Sequence, residues 1–208
     1  IEPLRTGDCQ RGAEEAENIG KAYMFGSKAY EEDPGAKREI DEINKKIYEK
    51  SDEEVNGIYD WGFQATMEAF EDLYKILGTK FDYYFLESVV ADIGDGIVRN
   101  NMPTVFEESE DAVVFKAEKY DPKLHTRVFI TSKGLPTYET KELGLAAEKF
   151  KTEPDMHLSI TVTANEQADY MRVVYKALSL IHPEYENKMT HITHGMMRFA
   201  SGKMGSRK

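Results

Sequence analysis

With 208 residues, 40% of them hydrophobic, the chain can bury a real core, as one large domain or as one and a half ordinary ones. Its 38 acids against 27 lysines and arginines leave a net charge of −11, which excludes a surface that grips nucleic acid everywhere; any such contact must be local or supplied by a segment outside this sequence. The single cysteine, Cys9, excludes an internal disulfide and points to a reducing cytoplasm, and no apolar run reaches the roughly 20 residues of a membrane span.

The opening Ile1 runs directly into polar sequence without a signal peptide. With no initiator methionine and a basic last residue, the expectation is a piece of a longer protein. The first third reads as helices. Residues 12–31 carry Ala16, Ile19, Ala22 and Tyr23 among charges at a period close to 3.6. Asp33-Pro34-Gly35 breaks that run, with Pro34 suited to the first turn of a second helix over 36–50, where Ile40, Ile43 and Ile47 recur. Ser51-Asp52-Glu53-Glu54 resembles a helix start, an amphipathic stripe follows from Val55 to Ile76, and Gly78 ends it. The expectation is a helical hairpin or bundle over 1–78.

The middle changes character. Phe81–Phe85 is a strand candidate, followed by a helix over 89–100. Val105-Phe106 and Ala112–Phe115 read as a small hairpin with Glu107–Asp111 as its turn, a β insertion around 103–117. Beyond it the elements alternate: a strand at Arg127–Ile130, a helix over 136–150, a strand at His157–Val162, a helix over 164–181, and a strand at 190–197. That order calls for an α/β fold with right-handed crossovers, and for one parallel sheet holding the segments near Phe129, Ile160 and Ile192. Ligands of such sheets sit at the carboxyl ends of the strands.

Three constellations reach that edge. After the first strand, Gly134 and Pro136 make a sharp turn into a helix on which Tyr138 and Glu142, four apart, share a face. A carboxylate and a phenol so placed form either an ordinary packed and solvated pair or a pocket for a cation. After the second strand, Gln167 could point into the same crevice, although polar residues at a helix start commonly serve as caps. After the third come His194, Gly195 and a tail containing Lys203 and Lys208. Mobile lysines suit a polyphosphate, although alone such a tail reads as a solvated terminus. His191 and His194 lie three apart on a strand, facing opposite sides, so no metal site is expected there. No Gly-x-Gly-x-x-Gly or Walker motif is present.

These residues resemble the class I aminoacyl-tRNA synthetases, and within them the arginyl-tRNA synthetases. The resemblance is carried by Gly134-Leu135-Pro136-Thr137-Tyr138 with an acid four residues on. It is supported by Phe81–Ser88, by Glu166-Gln167, and by Gly202–Lys208, which is similar to a Lys-Met-Ser-Lys-Ser-type loop. It runs from about Asp33 to the end. It implies the second half of a Rossmann-like catalytic domain over 79–208, with residues 1–78 as a helical insertion.

The implied activity is activation of arginine by ATP, with magnesium, followed by transfer to the arginine tRNA. By motif, Glu87, Tyr138, Glu142 and Gln167 would bind arginine. His194, Gly195, Met196 and Met197 would line the ATP site, and Lys203 and Lys208 would act on the phosphates. Planar guanidinium suits a carboxylate fork, and a buried acid left unpaired by a wrong substrate costs about 1–3 kcal/mol, so several such contacts select without editing. The pattern departs from the family at Glu142, where aspartate is common, and at Gly205 and Ser206, where serine and lysine are favoured. The family's His-x-Gly-His string does not occur in the chain, nor does a helical anticodon-binding domain. A class I synthetase of other specificity and a non-catalytic paralogue that binds nucleotide or tRNA remain the alternatives.

Overall fold

The computed structural model describes residues 11–195 together with 198–199 and 202–203. The described residues divide into two compact units: one holds those up to Asp82 and the short stretch from Phe199, the other Tyr83–Arg198.

The first unit is helical. It contains α1 (Arg11–Glu32), α2 (Pro34–Glu49) and α3 (Glu53–Leu77), with α1 packed on both of the others. The breaks fall where the sequence places them. Asp33 accepts a hydrogen bond from the Gly35 N–H at 2.6 Å, with Pro34 in the first turn of α2. Asp52 accepts from the Val55 N–H at 3.1 Å to cap α3, and its other oxygen takes the Lys46 ammonium at 2.8 Å. Caps of this kind contribute about 1 kcal/mol each. Gly78 closes α3. Ala65 is buried, but much of the apolar stripe on α3, including Phe70, Leu73 and Ile76, is exposed.

The second unit is mixed. The aromatic run at 81–86, which begins in the first unit and continues into the second, is irregular, not the expected strand. Its rings dock on neighbouring groups while its backbone stays outside any sheet: within this unit the Tyr83 hydroxyl donates to Glu153 at 2.5 Å. Then follow α4 (Glu87–Asn100), β1 (Glu107–Ser109), β2 (Ala112–Phe115), β3 (Arg127–Ile130), α5 (Tyr138–Thr152), β4 (Ser159–Ala164), α6 (Ala168–Ile181) and β5 (Met189–His194). The hairpin begins two residues later than expected. Glu110 and Asp111 both take positive φ, the two-residue turn whose twist matches the flanking strands, so Glu107–Ser109 becomes strand, not loop.

The expected single parallel sheet is not formed. β3 lies antiparallel to β2 in the sheet β1-β2-β3, while β4 and β5 pair in parallel as a separate two-stranded sheet. The crossover argument therefore holds for β4–α6–β5, whose register runs from Ser159↔Met189 to Ala164↔His194, and fails for β3. The reason lies in burial and in loop closure. The Phe129 ring centre lies 4.9 Å from that of Phe106, tilted, and 6.2 Å from that of Phe115, edge to face, so β3 buries its apolar side against its hairpin neighbours, which close a shorter loop than a crossover would. These rings join Leu143 of α5 and Val173, Val174 and Leu178 of α6 in one core. The short strands β6 (Arg198–Phe199) and β7 (Gly202–Lys203) pair with each other.

Candidate functional site

The turn from β3 into α5 is built from its own side chains. Gly134 adopts φ +76°, a conformation that costs a Cβ-bearing residue, and its N–H donates to the Thr131 carbonyl at 2.8 Å. The Thr137 hydroxyl donates to the carbonyls of Val128 (2.9 Å) and Phe129 (3.1 Å), and the Thr140 hydroxyl bonds the Phe129 carbonyl too. The first turn of α5 is thereby pinned to β3. Glu139 in the same turn is buried and accepts from Arg127 Nη1 at 3.1 Å.

Two glycines bring α4 onto α5. A Cβ on Gly94 would lie 2.0 Å from the Thr140 carbonyl oxygen, and one on Gly144 would lie 2.0 Å from the Val90 carbonyl oxygen. The helices meet backbone to backbone, Gly94 of α4 against Thr140 in the first turn of α5, and Val90 in the first turn of α4 against Gly144 further along α5. Glu87 opens α4, where the helix dipole favours an acid. Its Oε2 accepts from Lys141 Nζ at 2.8 Å, and that ammonium stands 5.0 Å from the centre of the Tyr138 ring. Glu87, Lys141 and Tyr138 thus form an acid–cation–aromatic cluster.

Glu142, the next residue, points into a drier environment. Burial raises its pKa above the usual carboxylate range; Lys149 opposes this, the Glu87 charge adds to it, and hydrogen bonding with Tyr170 opposes it again. Burial also lowers the pKa of Lys149, against the pull of Glu142. The Tyr170 hydroxyl is pushed up to about 12, first by burial and then by the charges of Glu142 and Glu139. Within this unit α4, α5 and α6 therefore contribute to one cluster of acids, cations and phenols.

Other expected site residues stand apart from it. Gln167 is exposed in the 3-10 turn Asn165–Gln167, and it is Tyr170, three residues on, that engages Glu142. His194 ends β5, exposed, with Nδ1 2.8 Å from the carbonyl of Gly195. His191 behaves differently from His194: its Nε2 is 2.7 Å from the Thr163 hydroxyl across the β4–β5 pair. The backbone of Lys203 lies in β7. Met196, Met197 and Lys208 lie outside the described residues. Among the described residues no three His, Cys, Asp or Glu side chains are grouped to hold a metal ion, and no helix is long and apolar enough to cross a membrane.

Residues 6–208 match the family model for the catalytic domain of class I (R) tRNA synthetases. The chain belongs to this family. An arginine–tRNA ligase of Borreliella afzelii strain PKo is 28% identical over 197 residues, covering 91% of this chain and 33% of the relative. One from Streptococcus thermophilus strain LMG 18311 is 30% identical over 179 residues, covering 86% and 31%. The chain thus spans about a third of the length of these curated relatives. The crystal structure of arginyl-tRNA synthetase from Plasmodium falciparum superposes with a TM-score of 0.64 at 18% identity, over 78% of this chain and 28% of that one. That likeness establishes the fold of a class I synthetase catalytic domain.

Two members of the cluster were not picked out from the sequence. Lys141 sits inside the Tyr138–Glu142 spacing, three residues from Tyr138, so the helical repeat already places it beside the ring. Tyr170 stands three residues after Gln167 on the same helical entry, a spacing that would have nominated it.

Proposed function

We propose that this chain supplies the amino-acid and nucleotide sites of an arginine–tRNA ligase, which activates arginine with magnesium-bound ATP and passes it to the arginine tRNA. The observation that carries the reading is the Glu87–Lys141–Tyr138 cluster beside Glu142: a carboxylate from α4 and a phenol ring from α5 already hold a cation. Arginine's guanidinium matches such a site better than an ammonium does, because its planar fork satisfies a carboxylate through two hydrogen bonds.

In this reading Glu87 and Glu142 receive the guanidinium, Tyr138 supplies a face beside it, and Gln167, from the turn that precedes α6, is the remaining arginine-binding side chain. Residues 1–78 form a helical insertion, and residues 79–208 form the nucleotide-binding half with a small β insertion around 103–117. His194, Gly195, Met196 and Met197 line the adenine side, while Lys203, with Lys208, meets the phosphates. Bound in this way, the arginine carboxylate is held to attack the α-phosphate, and charge collects on the departing pyrophosphate, where a lysine stabilises it. Transfer to the terminal adenosine of the tRNA follows.

The test is ATP–pyrophosphate exchange, with tRNA present, catalysed by the polypeptide that carries this chain at its full natural length. Exchange should depend on arginine and should not be supported by lysine, citrulline or other amino acids. Exchange that proceeds equally with another amino acid, or none with arginine, refutes the reading.

A further inference from the structure

Among the described residues, Lys141 is the cation in ion-pair contact with Glu87 at the proposed site. The pair it forms is asymmetric: the Lys141 side chain is 21% exposed, whereas that of Glu87 is 66% exposed. The stem of Lys141 is thus packed while its ammonium is presented at 2.8 Å to an accessible carboxylate and at 5.0 Å to the Tyr138 ring. A carboxylate and an aromatic face are the two partners that a guanidinium would use. The protein's own ammonium stands on both.

We propose that Lys141 is a resident counter-ion of the arginine site, occupying the Glu87 carboxylate and the face of Tyr138 until the substrate's guanidinium displaces it. The inference rests on the arginine-site reading and adds to it a residue that sets affinity. Displacement is feasible because an ion pair with one largely exposed partner is only weakly held. It is also productive, because a guanidinium offers two parallel hydrogen bonds where the ammonium offers a point charge. The cost of moving Lys141 is met equally by any ligand that enters the guanidinium subsite, so the mask lowers affinity uniformly and leaves the chemical step alone.

The test compares wild type, Lys141→Met and Lys141→Arg in the full-length polypeptide. Methionine keeps the packed stem and removes the charge; arginine strengthens the resident pair. Binding of L-arginine and of agmatine, which has the guanidinium without the carboxylate, is measured by equilibrium dialysis, with arginine-dependent exchange kinetics alongside. Lys141→Met should bind both ligands about two- to fivefold more tightly, the factor equivalent to up to about 1 kcal/mol. It should lower the KM for arginine with kcat and the KM for ATP unchanged, and Lys141→Arg should bind both ligands more weakly than wild type. Unchanged or weaker binding by a folded Lys141→Met overturns the proposal; should that variant not fold, tighter binding by Lys141→Arg overturns it. Glu142→Gln separates the two levels. If it weakens arginine binding while Lys141→Met has no effect, only the mask falls. If wild type binds neither ligand, the site reading falls and takes the mask with it.

Discussion

Gly144→Ala tests the geometry on which the site depends. The new methyl group would lie 2.0 Å from the Val90 carbonyl oxygen and 2.8 Å from the Gly94 nitrogen. Carbon in ordinary contact keeps about 3.5–4.0 Å from its neighbours, so α4 and α5 must separate by about 1.5 Å at this point. The obstacle is backbone held in a helix and cannot swing aside as a side chain would. Overpacking of this kind costs about 1–3 kcal/mol, and a rigid obstacle places it at the upper end, about 3 kcal/mol. Alanine's helix propensity returns about 1 kcal/mol, leaving a net loss of about 2 kcal/mol. At about 2–4 °C per kcal/mol this lowers Tm by about 4–8 °C. Gly96→Ala is the control: it lies on α4 with nothing within 4 Å, so it gains propensity without a clash and should stabilise by up to about 1 kcal/mol. Urea unfolding at constant m-value, with calorimetric Tm, measures both variants. Gly144→Ala matching or exceeding Gly96→Ala in stability would refute the close-approach argument.

Three further outcomes follow from the site. Glu142→Gln keeps the size and removes the charge, so arginine binding measured by calorimetry should weaken by about 1.5–3 kcal/mol while ATP binding is unchanged. The same variant should be at least as stable as wild type at pH 7: a carboxyl raised in the folded state binds its proton more tightly there than when unfolded, so ionisation costs stability as pH rises through the raised value, and glutamine avoids that cost. The advantage should vanish below the carboxylate range, as urea midpoints against pH will report. Arginine affinity should fall with decreasing pH at a midpoint above the usual carboxylate range, and this shift should disappear in Glu142→Gln; the charged and titrating groups around Glu142 are Lys149 on α5, Glu87 on α4, and Tyr170 and Tyr175 on α6. Lys203→Ala should slow single-turnover adenylate formation about a hundredfold with little change in arginine affinity, the scale of one lost transition-state donor; a change under about threefold would remove Lys203 from the catalytic residues.

What was legible in the sequence was whatever is decided locally. Asp33, Asp52 and Gly78 bound their helices because caps act within a turn, and the Tyr138–Glu142 spacing followed from helical geometry alone. The partner of β3 was not legible, because Arg127–Ile130 has the same composition whether it joins a hairpin or a parallel sheet, and the choice is made by Phe106 and Phe115, distant in sequence. The aromatic run at 81–86 has strand propensity without a strand partner. In the site, nothing in the sequence distinguishes Gly94 and Gly144 from other helical glycines, and only the crossing of α4 over α5 reveals what they exclude. Nothing local distinguishes Lys141 from the other charges of α5. Its role depends on Glu87, 54 residues away in sequence and brought near by those two glycines.

The energetics of Glu142 join these observations. A fold gains nothing by drawing a carboxylate out of water and supporting it only in part: burial is the leading influence on this group, and Lys149 and Tyr170 do not cancel it. Apolar residues of similar volume would serve the packing of α5 on α6 as well or better. The residual deficit is a charge awaiting a partner, and the cluster beside it supplies the form of that partner, since Glu87 and Tyr138 already hold an ammonium. Lys141 balances Glu87, two-thirds exposed and inexpensive to satisfy, while the more costly Glu142 has no cation in ion-pair contact among the described residues. A guanidinium that displaced Lys141 and reached Glu142 would therefore repay desolvation that the protein met when it folded, and binding energy would be drawn from an acid that no other fixed cation of the site satisfies.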